Sequence, residues 1–345
     1  MAIHTTATQA ERVGKIKGEM LGHAMINEVL GITGMQKSIP KNSGRTVVYA
    51  SYIPYGATNT NFNTINRPAV VAAAHELVEG TTPAADSLVR RDVTVTIRQF
   101  GCLYGLTDVV ADTYEDDVPS EMTAQCGERI AHVREMIRYG KVKAAANVFY
   151  GGGGATRGSV NSKITLNLLR KVSRNLQANH AKTITKILEP SENIDTKSVE
   201  AAYLVFVSSD AEADIRDLAG FVHVSEYGNR KTVSQYEIGS CENFRFITSP
   251  ELVPYAAAGA AIGTTGLSGT TNIDVYPFIM VGQDAWGQVA LRGADAIDPT
   301  YIKPGEKTKS DPLGQRGYIG AKFYMECTLL NEGWMAVVEA GVTAL

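Results

Sequence analysis

An α+β fold is predicted by two changes of period along the chain. In RDVTVTIR, Val93, Val95 and Ile97 take one parity and Thr94, Thr96 and Arg98 the other, the alternation of a half-buried strand. From Met122 the apolar side chains recur instead at Cys126, Ile130, Val133, Ile137, Ala144 and Val148. These steps of three, four or seven put one stripe along an amphipathic helix and leave the charged residues on its other faces. The alternation returns in GYIGAKFYMECTLLNEGW, where Ile319, Ala321, Phe323, Met325, Cys327 and Leu329 share one face.

Each of these elements is long. Pro119 suits a first helical turn, Asp116, Asp117 and Glu121 complement its positive end, and Gly151 to Gly154 are a stop. Unbroken from Pro119 to Phe149, the helix would span about 46 Å at ~1.5 Å per residue. The late strand would span about 43 Å at ~3.3 Å per residue.

The 345 residues suffice for one large domain or two medium ones, and 44% hydrophobic with 20% charged residues is ordinary for a folded chain. A net charge of -3 argues against a protein that condenses nucleic acid by neutralising phosphates. Cys102, Cys126, Cys241 and Cys327 are scattered with no C-x-x-C pair, so neither a zinc site nor a disulfide framework is suggested, and a reducing compartment fits. The first residues lack an apolar signal core, and no run of about eighteen apolar residues follows, so neither a signal peptide nor a membrane span is expected.

Residues 1–43 are polar and Gly-punctuated, with Leu21, Met25, Val29 and Leu30 offering a short stripe, and read as an arm. RTVVYASYIPYGAT (45–58) reads as a strand ending in a Pro-Tyr-Gly turn, with 91–100 as its antiparallel partner. The intervening residues 59–89 far exceed an ordinary hairpin loop of about two to five residues, and a loop of that length reaches for something. Ile164, Leu168, Leu169, Val172 and Leu176 mark a second helix ending near Asn179. TITKIL and then AAYLVFVSS read as strands, Asp210 as a helix N-cap, and Ile215 and Leu218 as a short helix. Phe244 and Phe246 alternate in another strand, Tyr276 to Val281 make a buried one, and 256–271 is loop.

No constellation of catalytic chemistry is legible. The run Gly151 to Gly154 beside ATRGS lacks the Lys before Ser159 that a phosphate loop requires and follows a helical pattern, so a flexible hinge is expected. Gly259, Gly263 and Gly266 follow no strand and do not make a dinucleotide fingerprint. Asp108, Asp112, Glu115, Asp116, Asp117 and Glu121 could hold a divalent cation, but read as helix-end and solvated charge. His4, His23, His75, His132, His180 and His223 show no metal-ligand spacing, and there is no G-x-S-x-G elbow. No catalytic, cofactor-binding or metal residue is therefore assigned, no cofactor is expected, and the chain is read as no enzyme.

Arm, extended hairpin, spine helix, mixed region and late strand together resemble the major capsid proteins of tailed double-stranded DNA phages, the Hong Kong 97-type fold. KNSGRTVVYASYIPYGAT, RRDVTVTIRQFGCLYGLTDVVADTYED, YEIGSCENFRFITSPEL, VYPFIMVGQDAWGQVAL and DPLGQRGYIGAKFYMECTLLNEGWMAVVE look like successive blocks of the coat protein family typified by coliphage N-four. These blocks cover most of residues 40–340, and Asn66 to His75 departs from the family pattern as an insertion.

The resemblance implies an arm (1–43), an extended loop (44–107), a peripheral domain (108–160 and 314–331) and an axial domain (161–313 and 332–345). It implies a structural virion subunit that assembles with copies of itself as hexamers and pentamers into an icosahedral head around double-stranded DNA, which it touches weakly and without sequence specificity. Portal protein is an implied partner, scaffolding and decoration proteins are left open, no membrane is involved, and assembly would occur in the host cytoplasm. A cellular nanocompartment shell of the same fold is the alternative, and an α/β nucleotide-binding enzyme the remote one. No Lys occurs between Lys41 and Lys141, so the extended loop has no amine for an isopeptide cross-link.

Overall fold

The two long elements expected from periodicity both form, and they pack on one another: a helix over Val118–Val142 and a strand over Arg316–Leu329. The computed structural model describes residues 28–53, 71–80, 82–83, 85–114, 117–184, 201–228, 232–263, 266–291, 297–307 and 309–345. The described residues open with a 3-10 turn at Leu30–Ile32 and strand β1 (Met35–Ile39), followed by a hairpin of β2 (Thr46–Tyr52) and β3 (Arg90–Thr96). Next come β4 (Arg98–Thr107), the short helix α1 (Asp108–Thr113) and the spine helix α2 (Val118–Val142). Strand β5 (Val148–Tyr150), helix α3 (Leu166–Ala178), strand β6 (Tyr203–Ser208) and helix α4 (Glu212–Arg216) lead into the second half. There follow β7 (Val222–His223), β8 (Glu237–Cys241), β9 (Phe244–Ser249), β10 (Tyr276–Val281) and β11 (Trp286–Leu291). The last strands are β12 (Ile297–Ile302), β13 (Arg316–Leu329) and β14 (Met335–Ala340).

Among the described residues three sheets form. A seven-stranded sheet runs β5-β14-β10-β6-β9-β8-β7. Apolar side chains point both ways from it. Leu204, Phe206, Ile279 and Val337 face one core with Ile130 and Trp286, and Val205, Phe246, Phe278 and Val338 face another with Leu169, Val172 and Leu176 of α3. Burial on both faces explains why β6 and β10 read as continuous apolar runs instead of alternating ones. In the second sheet β4 lies along one edge of β13, while β11 and β12 follow one another along the opposite edge and β1 joins β11 in parallel. The third sheet is the hairpin, in register from Thr46 opposite Thr96 to Tyr52 opposite Arg90.

Several local expectations change. The spine helix stops at Val142, not at Phe149. Asn147 Nδ2 donates to the Met335 carbonyl and to Asn175 Oδ1, at 2.8 and 2.9 Å, and so holds the chain where Val148 can pair with β14. Residues Val148 to Tyr150, β-branched or aromatic, suit that strand. The N-cap of α2 is Asp117, whose carboxylate accepts from Ser120 N–H at 3.2 Å. Ser208, not Asp210, caps the turn after β6 by accepting from Asp210 N–H.

The glycine run follows strand β5, not a helix, and close approaches constrain part of it: a Cβ on Gly151 would lie 2.7 Å from the Ser162 carbonyl oxygen, and Gly152 has φ +80°, whereas Gly153 is open. Residues 98–107, expected within the extended loop, leave the hairpin at Ile97 and pair with β13. The segment read as an arm is anchored on its own chain from residue 28 onward, because Val29 and Leu30 are fully buried and β1 joins a sheet. Residues 1–27 and 54–70, with the Pro-Tyr-Gly turn, and 185–200, with most of TITKIL, lie outside the described residues.

Candidate assembly surface and its anchor

Two charged residues of α2 that periodicity assigns to the solvated side are buried instead. Glu135 and Arg138 turn inward where the chain from residue 28 crosses the helix. Glu135 Oε1 accepts from the backbone N–H groups of Val29 and Leu30 at 3.0 and 2.9 Å, which fixes the entry to the 3-10 turn. Arg138 Nη1 donates to Glu28 Oε2 at 2.8 Å and to Glu135 Oε2 at 3.2 Å, and its Nε donates to Gln288 Oε1 of β11 at 3.0 Å. Burial by itself lowers the guanidinium pKa, but the hydrogen bonds and charges of Glu28 and Glu135 outweigh it and raise the value. The arginine stays charged. Gly31 lets the turn lie against that guanidinium, since a Cβ there would meet it at 3.2 Å. Two residues on, Trp286 Nε1 donates to Thr33 Oγ1 at 3.1 Å, and Gly34 leaves room for the indole ring.

Among the described residues the hairpin is covered on one face and exposed on the other. Tyr49, Val95 and Ile97 pack with Ile39 of β1 and Val289 of β11, and Arg91 Nη1 donates to the Leu330 carbonyl at 2.7 Å. A cavity of about 390 Å³ lies between β1, the hairpin and the 330–334 turn, lined among others by Met35, Lys37, Tyr49 and Trp334. The opposite hairpin face and the segment beyond expose large apolar side chains: Tyr52, Leu77, Val78, and Leu88 at 82% exposure. Strand β12 adds an edge on which Ile297 and Tyr301 stand exposed.

No family model matches the chain. The major capsid protein of Pseudomonas phage KPP21 is 21% identical over 354 residues, a match that spans 92% of this chain and 88% of that one. Among solved structures, the capsid of Ralstonia phage GP4 superposes with TM-score 0.62 at 10% identity over 96% of both chains. The capsid of cyanophage Pam1 gives TM-score 0.60 at 14% identity over 99% of this chain and 98% of the other. Cyanophage P-SCSP1u gives the same TM-score at 13% identity, covering 96% and 93%.

The fold is that of a tailed-phage major capsid protein. Within this capsid fold the residues weighed for chemistry are dispersed. Arg157, beside the glycine run, donates from Nε and Nη2 to the buried Glu339 at 2.8 and 2.7 Å and lies 3.6 Å from the centre of the Tyr255 ring. It is thus committed to a structural pair. Asp117 caps α2 and Asp108 opens α1, whereas Glu115 and Asp116 lie outside the described residues. His132 Nδ1 lies 3.2 Å from Glu251 Oε2, and His223 contacts Ser225. Among the described residues no group of three His, Cys, Asp or Glu side chains is placed to hold a metal, and no helix is long and apolar enough to cross a membrane.

The structure also pairs Cys102 of β4 with Cys126 of α2 as a disulfide, against the expectation from their spacing. Their positions carried the signal. Cys102 shares the parity of Phe100 and Tyr104, and Cys126 lies on the helix stripe that faces them. The Glu135–Arg138 anchor had no such signal, because a charge on a helix reads as solvated until its partners are known.

Proposed function

We propose that this chain is the major capsid subunit of a phage head, assembling with copies of itself as hexamers and pentamers around packaged double-stranded DNA. The observation that carries this is the end-to-end match to capsid chains together with the exposed apolar side chains Tyr52, Leu77, Val78 and Leu88 at the hairpin and the segment beyond it. The hairpin of β2 and β3 belongs to the extended loop that lies over a neighbour. The sheet built on β13, with α2, forms the peripheral domain; the seven-stranded sheet with α3 and α4 forms the axial domain around the five-fold and six-fold positions. The role calls on no catalytic residue. A net charge of -3 suits a shell that encloses DNA without gripping it. Portal protein at one vertex and assembly in the host cytoplasm belong to the same reading.

Electron microscopy of the expressed chain, alone and with its neighbouring genes, is the test: closed shells of hexamers and pentamers are expected, and a chain that stays monomeric under every assembly condition would overturn the proposal. Boiled in detergent with reductant, shell protein should run as a monomer with no covalent ladder, because no lysine lies between Lys41 and Lys141 to weld the extended loop to a neighbour.

A further inference from the structure

Cys102 lies on β4, on the face that meets the spine helix, and Cys126 lies on the buried stripe of α2. Their Cα atoms are 6.4 Å apart and the sulfurs are bonded. The bond closes a loop across 24 residues and ties the helix to the sheet that it covers. The same placement suits the reduced state. The Cys102 sulfur is 3.6 Å from the Cys126 carbonyl oxygen, an acceptor for the thiol hydrogen when the bond is open. Cys102 is only partly buried, so a small thiol or disulfide can reach it, whereas Cys126 is 3% exposed.

We propose that Cys102 and Cys126 form a reversible redox brace, open as two thiols while the chain folds in a reducing compartment and closed after exposure to a low-molecular-weight disulfide such as oxidised glutathione. The Cys102 thiolate attacks one sulfur of oxidised glutathione and releases one glutathione thiolate, leaving a mixed disulfide on Cys102. The Cys126 thiolate then attacks the Cys102 sulfur and releases the second. The two cysteines lose two electrons and two protons, and the oxidant becomes two molecules of reduced glutathione. The remaining thiols are poor competitors. Cys327 is enclosed, and burial pushes its thiol up to about 12, while Cys241 sits in the core under the other face of the seven-stranded sheet and is also pushed up by burial. Closure fixes α2 against β4 without a second chain, so the proposal goes beyond the capsid reading and its test does not depend on assembly.

The full-length chain, unassembled, is equilibrated in buffers that run from reduced to oxidised glutathione, quenched, alkylated in denaturant and mapped by mass spectrometry. Four alkylated cysteines are expected at the reducing end. At the oxidising end only Cys241 and Cys327 should be alkylated, with Cys102 and Cys126 recovered as one linked peptide pair. Thermal unfolding in the same buffers should rise by about 5 °C on closure. In Cys102→Ser the two buffers should give one midpoint; should that variant fail to fold, the wild-type comparison decides alone. Four alkylated cysteines under oxidation, a linked pair that includes Cys327, or equal wild-type midpoints would each overturn the proposal.

Discussion

In the seven-stranded sheet every side chain of β6, β10 and β14 is buried, whereas in the hairpin only the face with Tyr49 and Val95 is covered and Val48 and Tyr52 stand in solvent. Both regions are built from β-branched and aromatic residues. What separates them is the supply of partners within one chain. The sheet lies between α2 on one side and α3 on the other, while among the described residues the hairpin is covered on one face, by β1, β11 and the 330–334 turn, and exposed on the other. A two-stranded hairpin is marginal in water by itself. The sheet is therefore completed within the subunit, whereas one face of the hairpin is open to solvent among the described residues.

The sharpest way to test that contrast is to remove a group whose partners all lie inside the subunit. Arg138→Ala leaves the carboxylate of Glu135 buried without its cation, and a loss of about 3 to 5 kcal/mol in denaturant unfolding is expected. An effect under about 1 kcal/mol would mean that water replaces the guanidinium. Gly34→Ala should come next, at about 1 to 3 kcal/mol, because the new Cβ would meet the Trp286 ring at 2.7 Å.

A third test uses pH. Burial pushes the Asp214 carboxyl up, but its bonds from Thr343 and from Lys163 reverse this and hold it below its ordinary 3.8, while the same pairing raises Lys163 above 10.5. A depressed carboxylate adds stability above its unfolded pKa and loses it as pH falls through the folded value; a raised amine adds stability until pH climbs through its folded value. The pair thus works from about pH 4 to the alkaline range. Asp214→Asn should be less stable than wild type at neutral pH, and the gap in thermal midpoint should close below pH 3.8. A gap that is unchanged in acid would assign the loss to packing.

The smallest effect on the isolated subunit is expected from the hairpin. Leu88→Ser should shift unfolding by no more than about 0.5 kcal/mol, since the side chain is already in water. Shell yield, measured by sedimentation, should nevertheless fall. Wild-type yield from this variant would show that Leu88 is not covered on assembly.

Most of this architecture was legible because period and burial travel together. Ile130 and Phe323 were found in the core from spacing alone, and α3 ends with its cap at Asn179, where the stripe predicted it. What escaped depends on partners distant in sequence. Nothing around Val148 announces that Asn147 will be tied to Met335, and nothing near Glu135 announces the amides of Val29 and Leu30, 106 and 105 residues away. Cys102 and Cys126 differ: the face of each is readable from its period, but nothing in their spacing along the chain shows that the two faces meet.

The position of β13 also decides how the subunit carries load. Along one edge, Arg316 to Met325 are paired with β4, and along the other, Tyr318 to Phe323 and Met325 to Leu329 are paired with β12 and β11. A pull along that strand sets its ladders in shear, so many hydrogen bonds must fail together before it slides. The hairpin has the opposite mechanics. Thr46 and Thr96 lie side by side at its base, so tension drawn through those two ends would open the ladder one pair at a time, like a zip. The subunit thus joins a stiff tie to a compliant flap, with the buried Ile97 at the joint.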